Sequence, residues 1–120
     1  MLERFIYGRE RVEVKNKVET HLPKIECPDV VNAEEPFEVS ISISKHPSRV
    51  EHSIRHVDVF FVEEGRAFNP IRVANVQFTP EYTEAKVVIK LKLKKSGTII
   101  ALAYCNLHGL WESCKDVKVR

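Results

Sequence analysis

From Phe37 onward, apolar and polar residues alternate along the chain. Phe37, Val39, Ile41 and Ile43 interleave with Glu38, Ser40, Ser42 and Ser44. Successive side chains of a strand point to opposite faces, so this pattern gives one buried and one wetted face. The same period predicts strands over residues 54–62, 71–78, 85–94, 98–105 and 115–119. It is cleanest where Val87, Ile89, Leu91 and Leu93 interleave with Lys90, Lys92 and Lys94. The breaks, "HPSR", "EEGRAFNP", "TPEYTE" and "KKSG", carry Pro or Gly, which do not easily continue a ladder. Six or seven short strands at this spacing predict an all-β fold, an antiparallel β-sandwich. No segment has a helical period and no repeat occurs. The first eighteen residues stay unassigned, with "RVEVKNKVE" (11–19) fitting either an edge strand or a loop.

Composition narrows the picture. A chain of 120 residues is the size of a single domain, read here as 1–120, with a core large enough to fold without cross-links. Its 19 basic and 17 acidic residues leave a net charge of +2, which is no electrostatic footprint for nucleic acid. Three cysteines without a C-x-x-C pair suit a reducing compartment. The N-terminus lacks the apolar stretch of a signal peptide and no long apolar run follows, so a cytoplasmic protein with no membrane span is expected. The lysines of "KLKLKK" are expected on a solvated strand face, with a docking patch for an acidic redox partner as the alternative. Cys27 and Cys114 are expected to be buried structural thiols.

The chemistry concentrates in the breaks. Of five histidines, His21, His46, His52 and His108 lie in or beside them, while His56 sits within a strand pattern and reads as structural. A sandwich gathers its loops at two ends, so distant residues can meet there. These four imidazoles and the Cys105 thiol could form a nitrogen and sulfur site suited to a transition metal and not to a hard cation. The competing reading is scattered surface histidines with Cys105 as a small core residue.

The segments "ETHLP", "HPSRVEHSIRHV" and "CNLHGLWE" resemble the iron centre of superoxide reductases of the one-iron, neelaredoxin type. The resemblance implies an immunoglobulin-like seven-stranded β-sandwich. His21, His46, His52 and His108 would be equatorial ligands of a square-pyramidal iron and Cys105 its axial thiolate, with Glu19 as the sixth ligand of the ferric state. It further implies one-electron reduction of superoxide to hydrogen peroxide, re-reduction by a small donor such as rubredoxin, and a homotetramer. The chain lacks the cysteine quartet of the two-iron relatives. It also departs from the family at Thr20, where a lysine usually stands. Lys24, Lys45 or Arg49 would then have to attract the anion, and the Thr20 hydroxyl could order a proton-carrying water. Gly109 is expected to permit the tight loop between Cys105 and His108. Trp111 and Leu110 are expected to shield the Cys105 side, and backbone N–H groups after Cys105 could tune the sulfur. Two rivals remain. A cupredoxin-like electron carrier normally adds a downstream axial Met, and the chain's only Met is Met1. A binding module would use the sandwich with chemically idle histidines.

Overall fold

Two sheets face each other across a single apolar layer in the computed structural model, which describes residues 1–8 and 16–120. After a 3-10 turn at Leu2–Phe5, the elements are β1 (Ile6–Tyr7), α1 (Val18–His21), β2 (Lys24–Glu26), β3 (Val30–Val31) and β4 (Phe37–Ser42). Then come β5 (Ser48–Arg49), β6 (His52–Glu63), β7 (Ile71–Gln77), β8 (Lys86–Leu91), β9 (Gly97–Cys105) and β10 (Gly109–Val119). The larger sheet runs β1-β10-β9-β6-β5, with β3 beside β10 and β7 beside β6. The smaller is β2-β4-β8.

The core rows are those the alternation marks out. Val39 and Ile41 from β4 oppose Val57, Val59 and Phe61 from β6 and Ile99, Ala101 and Ala103 from β9, all in one buried cluster. Fully burying each Val or Ile contributes about 1.5–3 kcal/mol relative to leaving it exposed. Lys90, Lys92 and Lys94 are exposed, on the solvated strand face expected of them.

Three local features modify the simple pattern. The pairs β1–β10 and β3–β10 are parallel, so the architecture is a sandwich whose short edge pairs break the antiparallel rule. The β6–β9 register shifts between Ile54 and His56. This bulge leaves Arg55 as the extra residue, its carbonyl accepting Phe78 N–H at 2.9 Å. It restores the core phase at Val57 after two consecutive polar residues, a common device beside functional sites. Finally, a single helical turn, α1, forms where no helical period was legible. Leu22 N–H bonds the Val18 carbonyl at 2.9 Å, and Leu22 itself is extended, as the residue before Pro23 prefers. The edge-strand-or-loop reading of 11–19 lies mostly outside the described residues. Among the described residues, no helix is long and apolar enough to cross a membrane.

Candidate metal centre

Cys105 closes the β9 row that also holds Ile99, Ala101 and Ala103, each fully buried. Strand alternation therefore delivers the thiol to one end of the core. β9 returns into β10 through Asn106, Leu107 and His108, and Gly109 pairs with Cys105. Gly109 has φ 81°, the left-handed conformation that ends a three-residue hairpin loop. A Cβ there would meet only Tyr7 at 3.8 Å, so the demand for glycine is conformational, as the sequence suggested. The turn places His108 Nδ1 3.7 Å from Cys105 Sγ.

The other imidazoles come from separate elements. His21 ends α1 and is 3% exposed. His46 lies between Lys45, itself left-handed at φ 67°, and Pro47. His52 starts β6 opposite Arg49 in a tight hairpin. The four rings form a square. Centroids are 4.7 Å apart for His21–His46 and His46–His52, 5.1 Å for His52–His108 and 4.9 Å for His108–His21. The His21–His52 diagonal is 6.3 Å. Potential ligand atoms of His21, His46, His52 and Cys105 all lie within 4.8 Å of one another. His108 Nδ1 completes the set at 3.1 Å from His21 Nε2.

Hydrogen bonds decide which ring nitrogen turns inward. His46 Nδ1–H donates to the Pro47 carbonyl at 2.8 Å, while its Nε2 is buried without a partner. His52 Nε2 is likewise buried and unpartnered. His21 Nδ1–H has two acceptors, the Lys17 carbonyl at 3.1 Å and Thr20 Oγ1 at 2.9 Å, which leaves Nε2 for the centre. A buried nitrogen with no acceptor or donor is costly unless something else binds it. Two such nitrogens beside a thiol fit a borderline transition metal such as iron.

Burial favours the neutral, ligating form of three of the rings. The pKa of His21 is pushed down to about 4, first by burial and then by the neighbouring His46. His46 and His108 are also lowered, each chiefly by burial. Neutral imidazoles present lone pairs, whereas imidazolium cannot bind a cation.

Trp111 is fully buried. It packs on His21 with centroids 4.9 Å apart and donates its Nε1–H to the His108 carbonyl at 3.0 Å. It is thus the wall that holds two imidazoles in place. Leu110 does not share this role: it pairs with Tyr104, and alternation turns it to the outer face. The Asn106 N–H, expected to tune the sulfur, instead donates to the Ser53 carbonyl at 3.3 Å. The Thr20 hydroxyl also points inward, donating to the Lys17 carbonyl at 3.2 Å beside His21 Nδ1. Glu19 is exposed and lines a cavity of about 320 Å³ with Lys24, Ser42, Ser44 and Lys45. It is outside the group of converging donors.

His56 stays apart, as expected, stacked on Tyr104 at 5.3 Å. Cys27 and Cys114 are free thiols, Cys27 half-buried and Cys114 exposed, which corrects their reading as buried. Sequence reasoning missed the Asn106 side chain. Its only signal was its place between two donors, and its side chain bonds the backbones of Glu51 and Ser53.

Known proteins bear on this arrangement. Residues 13–114 match the Desulfoferrodoxin family. Neelaredoxin of Megalodesulfovibrio gigas is 39% identical over 119 residues, covering 87% of this chain and 91% of that protein. Superoxide reductase of Pyrococcus furiosus is 37% identical over 112 residues, covering 81% and 87%. A solved structure of the superoxide reductase (neelaredoxin) of Ignicoccus hospitalis, in a variant form, superposes with TM-score 0.98 at 48% identity. It covers 100% of this chain and 98% of that one. With the family match spanning most of the sequence and the fold shared over its full length, this chain belongs to the desulfoferrodoxin family.

Proposed function

We propose that this protein is a superoxide reductase whose iron is held by His21, His46, His52, His108 and Cys105. One observation carries the reading: ligand atoms of His21, His46, His52 and Cys105 lie within 4.8 Å of one another, with His108 Nδ1 beside them, and the buried His46 Nε2 and His52 Nε2 lack any protein hydrogen-bond partner. Iron bound there would supply one electron to superoxide, which takes up two protons and leaves as hydrogen peroxide. The rival cupredoxin reading lacks its axial thioether, since Met1 is 77% exposed and outside the donor group.

The chain's own groups set the conditions for that chemistry. Cys105 contributes an anionic sulfur in a fully buried position, where a thiolate raises electron density on a metal. The four imidazoles add no charge, so the centre stays cationic and attracts an anion. Trp111 keeps water from the His21 face. We assign anion collection to Lys24 and Lys45, which wall the cavity beside α1, in place of a lysine at position 20. The Thr20 hydroxyl, bonded to the Lys17 carbonyl and to His21 Nδ1, helps hold the His21 ring in one tautomer. Glu19, at the rim of the same cavity, is our candidate for the carboxylate partner of the oxidised state.

Two finer assignments, a rubredoxin-like electron donor and a homotetramer, rest on family resemblance, and a cytoplasmic setting is supported by three free thiols. A donor would come nearest at His108, which lines a cavity of about 430 Å³ with Phe5, Tyr7, Leu107 and Trp111. Metal analysis of the purified protein tests the assignment. One iron per chain is expected; copper would favour the cupredoxin reading, and no metal would favour an inert binding module.

A further inference from the structure

Asn106 lies between two donors, yet its side chain faces a third. Its Oδ1 accepts the Ser53 N–H at 2.9 Å, and its Nδ2 donates to the Glu51 carbonyl at 2.9 Å. Its backbone N–H donates to the Ser53 carbonyl at 3.3 Å. Three bonds therefore grip the two residues that flank His52, across 53 and 55 positions of sequence.

The reason is visible in the ladder. β6 and β9 pair as far as Ile54 opposite Cys105. Beyond that point β9 makes one last backbone bond, from Asn106 N–H to the Ser53 carbonyl, and turns away into the His108 hairpin, so the Ser53 N–H is met by the Asn106 side chain and not by its backbone. Ser53 is nevertheless 2% exposed, and a buried N–H needs an acceptor. The carboxamide of Asn106 replaces the missing peptide unit, with one acceptor and one donor at the right ends. The ladder is in effect extended by one side chain.

We propose that Asn106 is a positioning residue that fixes His52 against Cys105 before any metal arrives. The proposal rests on the metal-centre reading above. Without this bridge, the start of β6 would keep only the β5–β6 hairpin and the single backbone bond to Asn106, and the His52 ring would have to be ordered at the expense of metal affinity. No other residue matches the bridge. Aspartate keeps the acceptor for Ser53 but sets an oxygen against the Glu51 carbonyl, and alanine leaves both backbone groups unpaired.

The test uses cobalt(II) as a probe of the metal-depleted full chain. Affinity is measured by chelator competition, and the thiolate-to-cobalt absorption is recorded. Asn106→Ala should weaken cobalt binding about ten-fold, the low end of the range for losing a direct hydrogen-bond partner of a ligand, because the bridge holds the main chain on either side of His52 and not its ring. Asn106→Asp should fall between Ala and wild type, and it carries the test if the alanine variant does not fold. Ser48→Ala is the control: it removes bonds to Thr83 and Glu81 from the strand paired with β6 while leaving the Asn106 bridge whole, and should bind cobalt as wild type does. Unchanged affinity and spectrum in both Asn106 variants would overturn the proposal, as would an equal loss in Ser48→Ala. Failure of the wild type to bind cobalt would instead overturn the metal-centre reading.

Discussion

Asn69 and Asn106 perform the same chemical act at opposite ends of the sandwich, and the difference lies in what they join. At the far end Asn69 Oδ1 accepts the Glu63 N–H at 3.0 Å, and its Nδ2 donates to the carbonyls of Glu63 and Arg66. It closes a local turn of a few residues. Asn106 ties together segments more than fifty residues apart in sequence. The rest of each end follows suit. At the far end polar groups satisfy one another: Lys115 with Asp29, Thr98 with Asp116, and Ser96 Oγ with the Val119 N–H. At the site end many do, but some buried ones are left over. Among the described residues, all five buried side-chain polar atoms without a partner lie between His46 and His56. Two belong to the imidazole square; those of Ser53 and Arg55 have no partner, and His56 Nδ1 meets only the Asp58 carboxylate, at 3.8 Å. One end is thus completed by the chain, and the other is built to be completed by a metal.

The most drastic way to break this contrast is to remove the one soft anionic donor. Cys105→Ser should abolish the visible sulfur-to-iron(III) charge-transfer band, read by absorption spectroscopy of the oxidised protein. The far end should be unaffected, with wild-type amide exchange around Ser96–Asp116. His52→Leu sharpens the contrast further, since it deletes a buried orphan nitrogen. Thermal denaturation of the metal-free variant should show stability equal to wild type or raised by up to about 1 kcal/mol. Metal analysis should nevertheless find substoichiometric iron.

Asn69→Ala probes the other side of the comparison. The residue is exposed, so water can replace part of what is lost. Stability should fall by about 1 kcal/mol with iron content and spectrum unchanged. The smallest effect belongs to Thr20→Val, which leaves the Lys17 carbonyl as the remaining acceptor for His21 Nδ1. Cobalt affinity should drop about five-fold, corresponding to about 1 kcal/mol for one hydrogen bond, and Thr20→Ser should restore it.

Strand alternation made the core legible because each buried row sits on a single face, as from Val39 to Ile41 and from Ile99 to Ala103. The bulge at Arg55 was written in the chain too, as two polar residues where one was due, but a period of two has no place for an extra residue. α1 was hidden because it is a single turn, and a helical period becomes legible only over several turns. The donors were legible as residue types at strand ends. Their inward nitrogens were not, because ring orientation depends on backbone carbonyls at Lys17 and Pro47. Asn106 was out of reach for the same reason: its partners are main-chain groups, and any sequence at positions 51 and 53 would display them. The Thr20 hydroxyl was legible as a polar group, but its bond to His21 Nδ1 was not.

The central claim is that the convergent donors serve to reduce superoxide and not to dismutate it or merely to carry electrons. The most direct measurement mixes the reduced protein with a known pulse of superoxide, counting the hydrogen peroxide and oxygen formed and the electrons lost by the protein. One hydrogen peroxide per superoxide is expected, with one electron withdrawn from each chain and no oxygen released. Oxygen evolved with half as much peroxide would mark dismutation, and a protein that stays reduced while superoxide decays at its spontaneous rate would contradict the account outright.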